Sequence, residues 1–557
     1  MSRSQTFSQR VITAAVVAVG FVGAAASAHA QTAQSLTQGW SSTQRHTFYR
    51  TTQGSRLIPY NLFVKLEMAS STQRFAGTTN MMALGFLIEP STSDNPDSLP
   101  IGFVKDTQTG KPDAIGLTCA ACHTRDITYQ GTRYRLDGAQ GYGDTERFLS
   151  TLQSALGATL GDAAKFERLR VATGTAAGSA TTALRSSLQA AYDKIALENQ
   201  SNLPPSGVNN PGPGRLDAFA HIKNRVANTV LAGNSSSTSN NVDATAPVSF
   251  PFLWDAPYLD FVQWPGNVTN YTVGSVGRNV GEVLGVFAET TVTRNVVGFV
   301  DVKSTANLNN LIALEDQLLL LKSPQWPSAF PPANPLLAAL GQPLFNQYCG
   351  SCHVTVDRNP RTNYIKTFSL GASKVGTDPT MANNNANDRA LAGATDSNPN
   401  KVVNPLDTLG SVVTPLLLPI AGQAFAINAS HKQPALPATR NIDKAANETD
   451  VQTYKARPLN GIWATAPYLH NGSVRTLAQL LKPGPQREAS FCVGSIAFSP
   501  ADVGMANDCG VPNAYVFDTS KPGNSRLGHE YGTPSDTRFP VLTEAGKAAL
   551  LEYMKTL

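Results

Sequence analysis

Two stretches of this chain have residue types and spacing that point to chemistry: Cys119-Ala-Ala-Cys122-His123 and Cys349-Gly-Ser-Cys352-His353. Two thiols three positions apart, followed at once by an imidazole, match the attachment site of a c-type haem. The sulfurs add across the porphyrin vinyl groups, and the histidine offers a nitrogen to iron. A redox Cys-x-x-Cys pair does not need the following histidine, and a zinc site needs more ligands nearby. Two covalently bound haems are therefore expected, with His123 and His353 as proximal ligands. Of the six cysteines, only Cys492 and Cys509 fall outside these motifs. A disulfide is the simple account of that pair, and two free thiols are the alternative.

The N-terminus fits an exported protein. Arg3 and Arg10 form a positive region, Val11 to Ala26 is apolar, and Ala28-His29-Ala30 offers a small-x-small cleavage site before Gln31. The other reading, a membrane anchor, is disfavoured by the short apolar run and its small residues. Residues 1–30 are thus expected to be a signal peptide, and the compartment periplasmic or extracellular and oxidising. Removing them takes away two arginines and no acid, so the formal charge falls from +5 to +3. Such a balance asks for neither nucleic acid nor an anionic membrane surface. No later stretch is expected to span a bilayer. The most apolar one, Val412 to Ile427, is interrupted by Pro415, Pro419 and Gly422.

The elements that must carry the motifs read as mostly helical. A chain of 557 residues, 41% of them hydrophobic, has room for two or more domains with ordinary cores. Leu308 to Lys322 is an expected helix, with Leu311, Leu314, Leu318 and Leu321 on one side. Pro324, Pro327, Pro331, Pro332 and Pro335 follow and read as a linker. A second helical run, Leu340 to Tyr348, leads into Cys349, and Thr181 to Asn199 is another expected helix. Asn234 to Asn241 and Asn383 to Asn400 read as polar loops. No strong period-2 run stands out. The expectation is a mainly α fold of two cytochrome c-like haem domains with long irregular loops and insertions. Residues 31–330 form the first and 331–557 the second.

The remaining histidines, His46, His221, His431, His470 and His529, and the methionines Met68, Met81, Met82, Met381, Met505 and Met554, are candidate sixth ligands. A haem with two strong protein ligands transfers electrons, whereas one with an open face binds dioxygen or peroxide. Arg457-Pro-Leu-Asn-Gly-Ile-Trp-Ala-Thr-Ala-Pro-Tyr-Leu-His470-Asn-Gly-Ser-Val474 resembles the signature of bacterial dihaem cytochrome c peroxidases and their relatives. Pro522-Gly-Asn-Ser-Arg-Leu-Gly-His529-Glu-Tyr-Gly-Thr533 resembles the rubber-oxygenase branch of that superfamily, which includes dihaem fatty-acid dioxygenases. Gly214-Arg-Leu-Asp217-Ala, Val262-Gln-Trp264 and Arg278-Asn-Val-Gly-Glu282-Val-Leu-Gly-Val-Phe287 fit the same branch. The resemblance runs from about residue 50 to the end.

That resemblance implies His529 as second ligand of the C-terminal haem, against a plain surface histidine in a Gly-rich loop. It implies a place for His470 near the haem edge or between the haems, against a purely structural hydrogen bond. In dihaem peroxidases a distal histidine follows soon after the first haem motif. Here none occurs between His123 and His221, which favours an N-terminal haem whose sixth position is open or already holds dioxygen. Phe252, Trp254, Tyr258, Phe261 and Trp264 form an aromatic stretch that would line an apolar pocket or simply pack a core. Trp264 is the candidate functional aromatic. Glu282 is the candidate proton donor or acceptor, against a helix-surface carboxylate. A calcium ion between the units is known in related peroxidases, but no ligand motif here supports it.

Three functions remain open. The preferred one is a haem dioxygenase using dioxygen on a carbon–carbon double bond or allylic position of a long apolar substrate, an unsaturated fatty acid or a polyisoprene. The second is a peroxidase that reduces hydrogen peroxide with electrons from a small periplasmic electron-transfer protein. The third is an electron-transfer cytochrome without catalysis.

Overall fold

Ser41 caps the helix α1 (Ser42–Arg50): its hydroxyl accepts from the Gln44 amide while the Gln44 side chain accepts from the Ser41 N–H. This helix lies near the start of what the computed structural model describes: residues 32–557 except 203, 205–209, 233–239, 267, 271–273, 296, 359–363, 419–440 and 443–451. The expected signal peptide, His431 and most of the Asn234–Asn241 loop lie outside the described residues.

β1 (Phe103–Asp106) and β2 (Ala114–Leu117) pair antiparallel, and Ile58–Pro59 adds a short third strand on β2. β2 runs into α2 (Cys119–Cys122), a single helical turn that holds the first Cys-x-x-Cys-His motif. Directly after His123, β3 (Thr124–Tyr129) and β4 (Thr132–Asp137) form a hairpin. Its two-residue loop, Gln130-Gly131, takes φ of 47° and 78°, the left-handed pair that lets a tight turn follow the strand twist. Helices α3 (Thr145–Gly161) and α4 (Ser179–Asn202) then bury Leu149, Leu152, Leu188 and Ile195 in one apolar core.

A second core gathers α5 (Ala218–Ala232), α6 (Gly274–Gly285), the β5 (Thr290–Arg294) and β6 (Val300–Ser304) hairpin, α7 (Leu308–Leu318), and a later helix. Leu311, Leu314, Leu318 and Leu321 are all buried, as their spacing predicts. α8 (Pro335–Tyr348) leads into the second motif. β7 (Phe368–Gly371) follows, and then α9 (Pro405–Leu417), which completes the second core through Val412, Val413 and Leu417. β8 (Thr453–Ala456) pairs antiparallel with β7, and β9 (Ser490–Val493) with β10 (Tyr515–Asp518). The last helix, α10 (Glu544–Thr556), packs on α8. Gly341 permits that approach, because a Cβ there would meet the Ala549 carbonyl oxygen at 2.1 Å. Cys492 and Cys509 are joined as a disulfide. Among the described residues no helix is long and apolar enough to cross a membrane.

The expectation of a mainly α fold of two cytochrome c-like haem domains is corrected. The architecture is mixed α/β, with nine sheets of two or three strands among the described residues, and two haem domains do not stand out from it. The strands are two to six residues long, too short for alternation to register along the sequence. Several, such as β2 and β8, are buried on both faces and so do not alternate at all. The largest hydrophobic core also joins residues on both sides of position 330, from Trp40 and Phe48 to Tyr348, Trp463 and Met554. The proline-rich stretch is packed into that core. Phe330 lies 5.4 Å from the Phe498 ring, Trp326 lies 5.4 Å from Trp463, and the Trp463 indole donates to the Pro324 carbonyl.

Candidate functional site

Both Cys-x-x-Cys-His motifs are helical turns. The His123 amide donates to the Cys119 carbonyl and the His353 amide to the Cys349 carbonyl, each over 2.9 Å. The turn sets both thiols and the imidazole on one side. All four sulfurs are free of disulfides. Burial pushes the Cys119, Cys122 and Cys349 thiols up to about 12, so they stay protonated.

The second motif opens into a cavity that also contains His529. The His353 and His529 ring centroids are 6.5 Å apart, with 30° between the planes. Direct stacking needs closer rings, so the separation calls for another explanation. A metal–imidazole bond of about 2.0–2.1 Å plus a ring radius of about 1.1 Å on each side gives about 6.4 Å for two rings on opposite faces of one metal. The spacing therefore fits an iron between them. The His353 Nδ1–H donates to the Arg457 carbonyl oxygen over 2.7 Å, which fixes the tautomer and leaves Nε2 for a metal. Nδ1 of His529 is buried and makes no hydrogen bond. Enclosure pushes His529 down to about 3, helped by His353 and Arg487, and lowers His353 as well. Both imidazoles are thus neutral, as metal ligation needs. His529 has φ of 53°, a conformation most side chains avoid, and it follows Gly528 at 87°. Leu459, Leu477, Leu480, Leu542 and Leu550 supply apolar cavity walls. A covalently held haem suits this donor set.

The first motif has different surroundings. Phe250 places its ring edge-on to His123 at 6.1 Å, and the Pro251 carbonyl lies beside the imidazole. No second histidine ring faces His123 among the described residues. His221 is paired with Glu146 at 2.8 Å, and His46 with Asp94 at 2.7 Å. What lies near the thiols is acid and amide. Gln53 donates to the Cys119 sulfur over 2.8 Å, and the Glu282 carboxyl acts on both thiols. Glu282 comes from α6, where Arg278 is one turn earlier on the same face. It accepts from the Gln263 side chain at 3.1 Å, and burial raises its carboxyl above the ordinary range. Arg278 is held by Glu315 at 2.5 Å. Gln263 itself takes φ of 66°.

Trp264 and His470 lie in the cavity of the second motif. The His470 ring lies 4.1 Å from Tyr454, nearly parallel, and Trp264 meets it edge-on at 6.3 Å. The Trp264 indole donates to the Ser249 carbonyl, and the Ser249 amide donates to the His470 carbonyl. Burial lowers His470 to about 4. Phe250, which touches His123, lines the same cavity, so this cluster extends toward the first motif. Of the methionines, Met554 lines the cavity, while Met81, Met381 and Met505 are buried in hydrophobic cores. Among the described residues, no group of three or more His, Cys, Asp or Glu is arranged to hold a metal ion, calcium included.

Sequence reasoning missed Gln53, Gln263, Lys455 and Arg457 as site residues. Gln263 and Arg457 lie inside motifs whose chemistry the sequence assigns to Trp264 and His470. The i, i+4 spacing of Arg278 and Glu282 was the available signal that this face of α6 is polar for a reason.

Residues 453–492 match a family model described as RoxA-like, cytochrome c-like. The chain is 30% identical to the uncharacterized protein y4iJ of Sinorhizobium fredii, over 94% of this chain and 93% of that protein. It is 34% identical to the uncharacterized protein y4iM of the same organism, over 22% of this chain and 32% of that protein.

Proposed function

Because this chain belongs to one family with the Sinorhizobium fredii protein y4iJ and is a RoxA-related c-type cytochrome, we propose that it is an exported two-haem oxidoreductase. Its reaction is dioxygenation of a long apolar alkene. Cys119, Cys122 and His123 would hold the reactive haem. Cys349, Cys352, His353 and His529 would hold a second haem, which would supply electron storage or relay. When bound, haem supplies iron able to activate dioxygen or peroxide and to exchange single electrons.

The observation that carries this reading is the difference between the two sites. One has a second imidazole at ligating separation, whereas at the other no second histidine ring faces His123 among the described residues and the Glu282 carboxyl, held by Gln263, acts on the two thiols. Phe250 and Pro251 pack beside His123 and position its imidazole. Glu282, with its raised carboxyl, holds or gives a proton at Oε, and the Gln263 amide orients it. Trp264 and His470 fill the space that an electron crosses between the sites. The same carboxyl supports a second reading, reduction of hydrogen peroxide, in which Glu282 handles the proton moved between the peroxide oxygens.

The test is an optical spectrum of the purified protein, as isolated and after dithionite and carbon monoxide, with oxygen uptake on adding oleate or polyisoprene latex. Carbon monoxide binding at one haem, with oxygen consumed only when the alkene is present, is the expected result. Carbon monoxide binding without alkene-dependent uptake moves the assignment to peroxide reduction. No carbon monoxide binding means two closed haems and an electron carrier.

A further inference from the structure

Lys455 and Arg457 line the cavity that holds His353 and His529, and each is only 6% exposed. Among the described residues, no aspartate or glutamate lines that cavity. The Lys455 ammonium donates to the Phe261 carbonyl at 3.0 Å, leaving further N–H donors of its three without an ionic partner. The Arg457 guanidinium lies over the Phe252 ring at 3.6 Å and donates to the Phe252 carbonyl at 2.7 Å, while its Nε is buried without a partner. Neither cation forms an ion pair with a described carboxylate. The nearest acids are engaged elsewhere. Asp260 accepts from the Thr367 amide and hydroxyl, and Asp255 accepts from Asn460.

Two buried cations without counter-ions are costly in an apolar cavity. A ligand carrying carboxylates reverses that cost. We propose that Lys455 and Arg457 bind the propionate carboxylates of the haem held by His353 and His529, and that this pairing raises its reduction potential. The inference rests on the two-haem reading. Arg457 has a double position, because its carbonyl orients His353 while its charge also reaches His123. It is a positioning residue for one haem and an electrostatic link to the other.

A fixed positive charge favours the reduced, more negative haem. Lys455→Met is therefore expected to lower the potential of the six-coordinate haem. The shift is at least tenfold in the one-electron equilibrium, or 59 mV. The charge-conserving Lys455→Arg is expected to keep the wild-type potential. The measurement is an equilibrium redox titration of the full haem-loaded chain, followed optically, with haem content determined in parallel. Arg457→Gln, which removes the charge but keeps the His353 contact through the backbone carbonyl, provides a second variant should Lys455→Met fail to fold. Loss of the guanidinium charge there is expected to lower the potentials of both haems. Two haems per chain with unchanged potentials in both variants overturns the propionate assignment alone. So does a raised KM for an acid substrate such as oleate with unchanged potentials, which assigns the cations to a substrate carboxylate. Fewer than two haems in the wild-type chain defeats the two-haem reading itself, and this assignment with it.

Discussion

Replacing His529 by glycine tests the closed haem directly. The rings of His353 and His529 are 6.5 Å apart, and subtracting a ring radius of about 1.1 Å on each side leaves about 2.1 Å from either nitrogen to the midpoint. That is a metal–imidazole bond length. Removing one ring pulls the nearest protein atom back by the whole imidazole, several ångströms, which is room for a diatomic ligand. Glycine is the substitution of choice because position 529 has φ of 53°. An alanine there would keep the left-handed strain of about 1–2 kcal/mol that the histidine already carries, whereas glycine adopts this conformation freely. Cys349, Cys352 and His353 remain, so covalent attachment persists. The expected outcome is loss of the low-spin bis-imidazole spectrum and a second equivalent of carbon monoxide bound per chain after reduction. Free imidazole added to the buffer restores the wild-type spectrum. An unchanged low-spin spectrum with a single equivalent of carbon monoxide would refute the reasoning, since it requires a ligand other than His529.

Glu282→Gln is expected to leave carbon monoxide binding at the first haem intact and to lower turnover by roughly 10²–10⁴-fold, the usual worth of a positioned proton donor. Steady-state rates on whichever oxidant supports turnover check it. Glu282 also gives a pH signature. Its carboxyl is raised by burial, so it keeps its proton in the folded chain at a pH where an unfolded glutamate, near about 4.3, has lost it. The folded state then binds more protons, and stability falls as pH rises from the unfolded value through the folded one. Urea midpoints measured across that window should decline in the wild type and flatten in the variant. Cys492→Ser combined with Cys509→Ser opens a loop of sequence separation 17, and is expected to cost about 3 kcal/mol in urea unfolding while both haem spectra stay unchanged.

The chemistry was more legible than the architecture. Each haem motif is five contiguous residues, so attachment can be read without knowing the fold. The helices around it were legible for a similar reason: Leu311, Leu314 and Leu318 repeat over several turns, long enough for a period to appear. The β3–β4 hairpin was missed although Gln130-Gly131 marks its turn, because Thr-Arg-Asp-Ile-Thr-Tyr buries its charged residues as well as its apolar ones. Arg125 and Asp126 are both buried there, with Asp126 held by Arg133 and Arg135. The proline-rich stretch misled in the opposite direction. Proline breaks regular structure, but it does not prevent Trp326 and Phe330 from packing into the core.

The two motifs share a spacing but differ in what the chain gathers around them, and that difference is set by segments remote in sequence. His529 lies 176 residues after His353 and reaches it only because the backbone at 528–529 turns through two left-handed residues, with the His529 amide donating to the Val375 carbonyl. Glu282 lies 159 residues after His123 on a helix whose other face is an ordinary Val and Leu core. A burial pattern alone would assign Glu282 to a helix surface, and only its meeting with Gln263 and the two thiols gives it a chemical setting. Arg457 then sits between the sites, with its carbonyl on one imidazole and its charge felt by the other. A change at Arg457 should therefore move both haems together, whereas a change at His529 or Glu282 should move one. That contrast distinguishes a coupled pair from two independent haems in one chain.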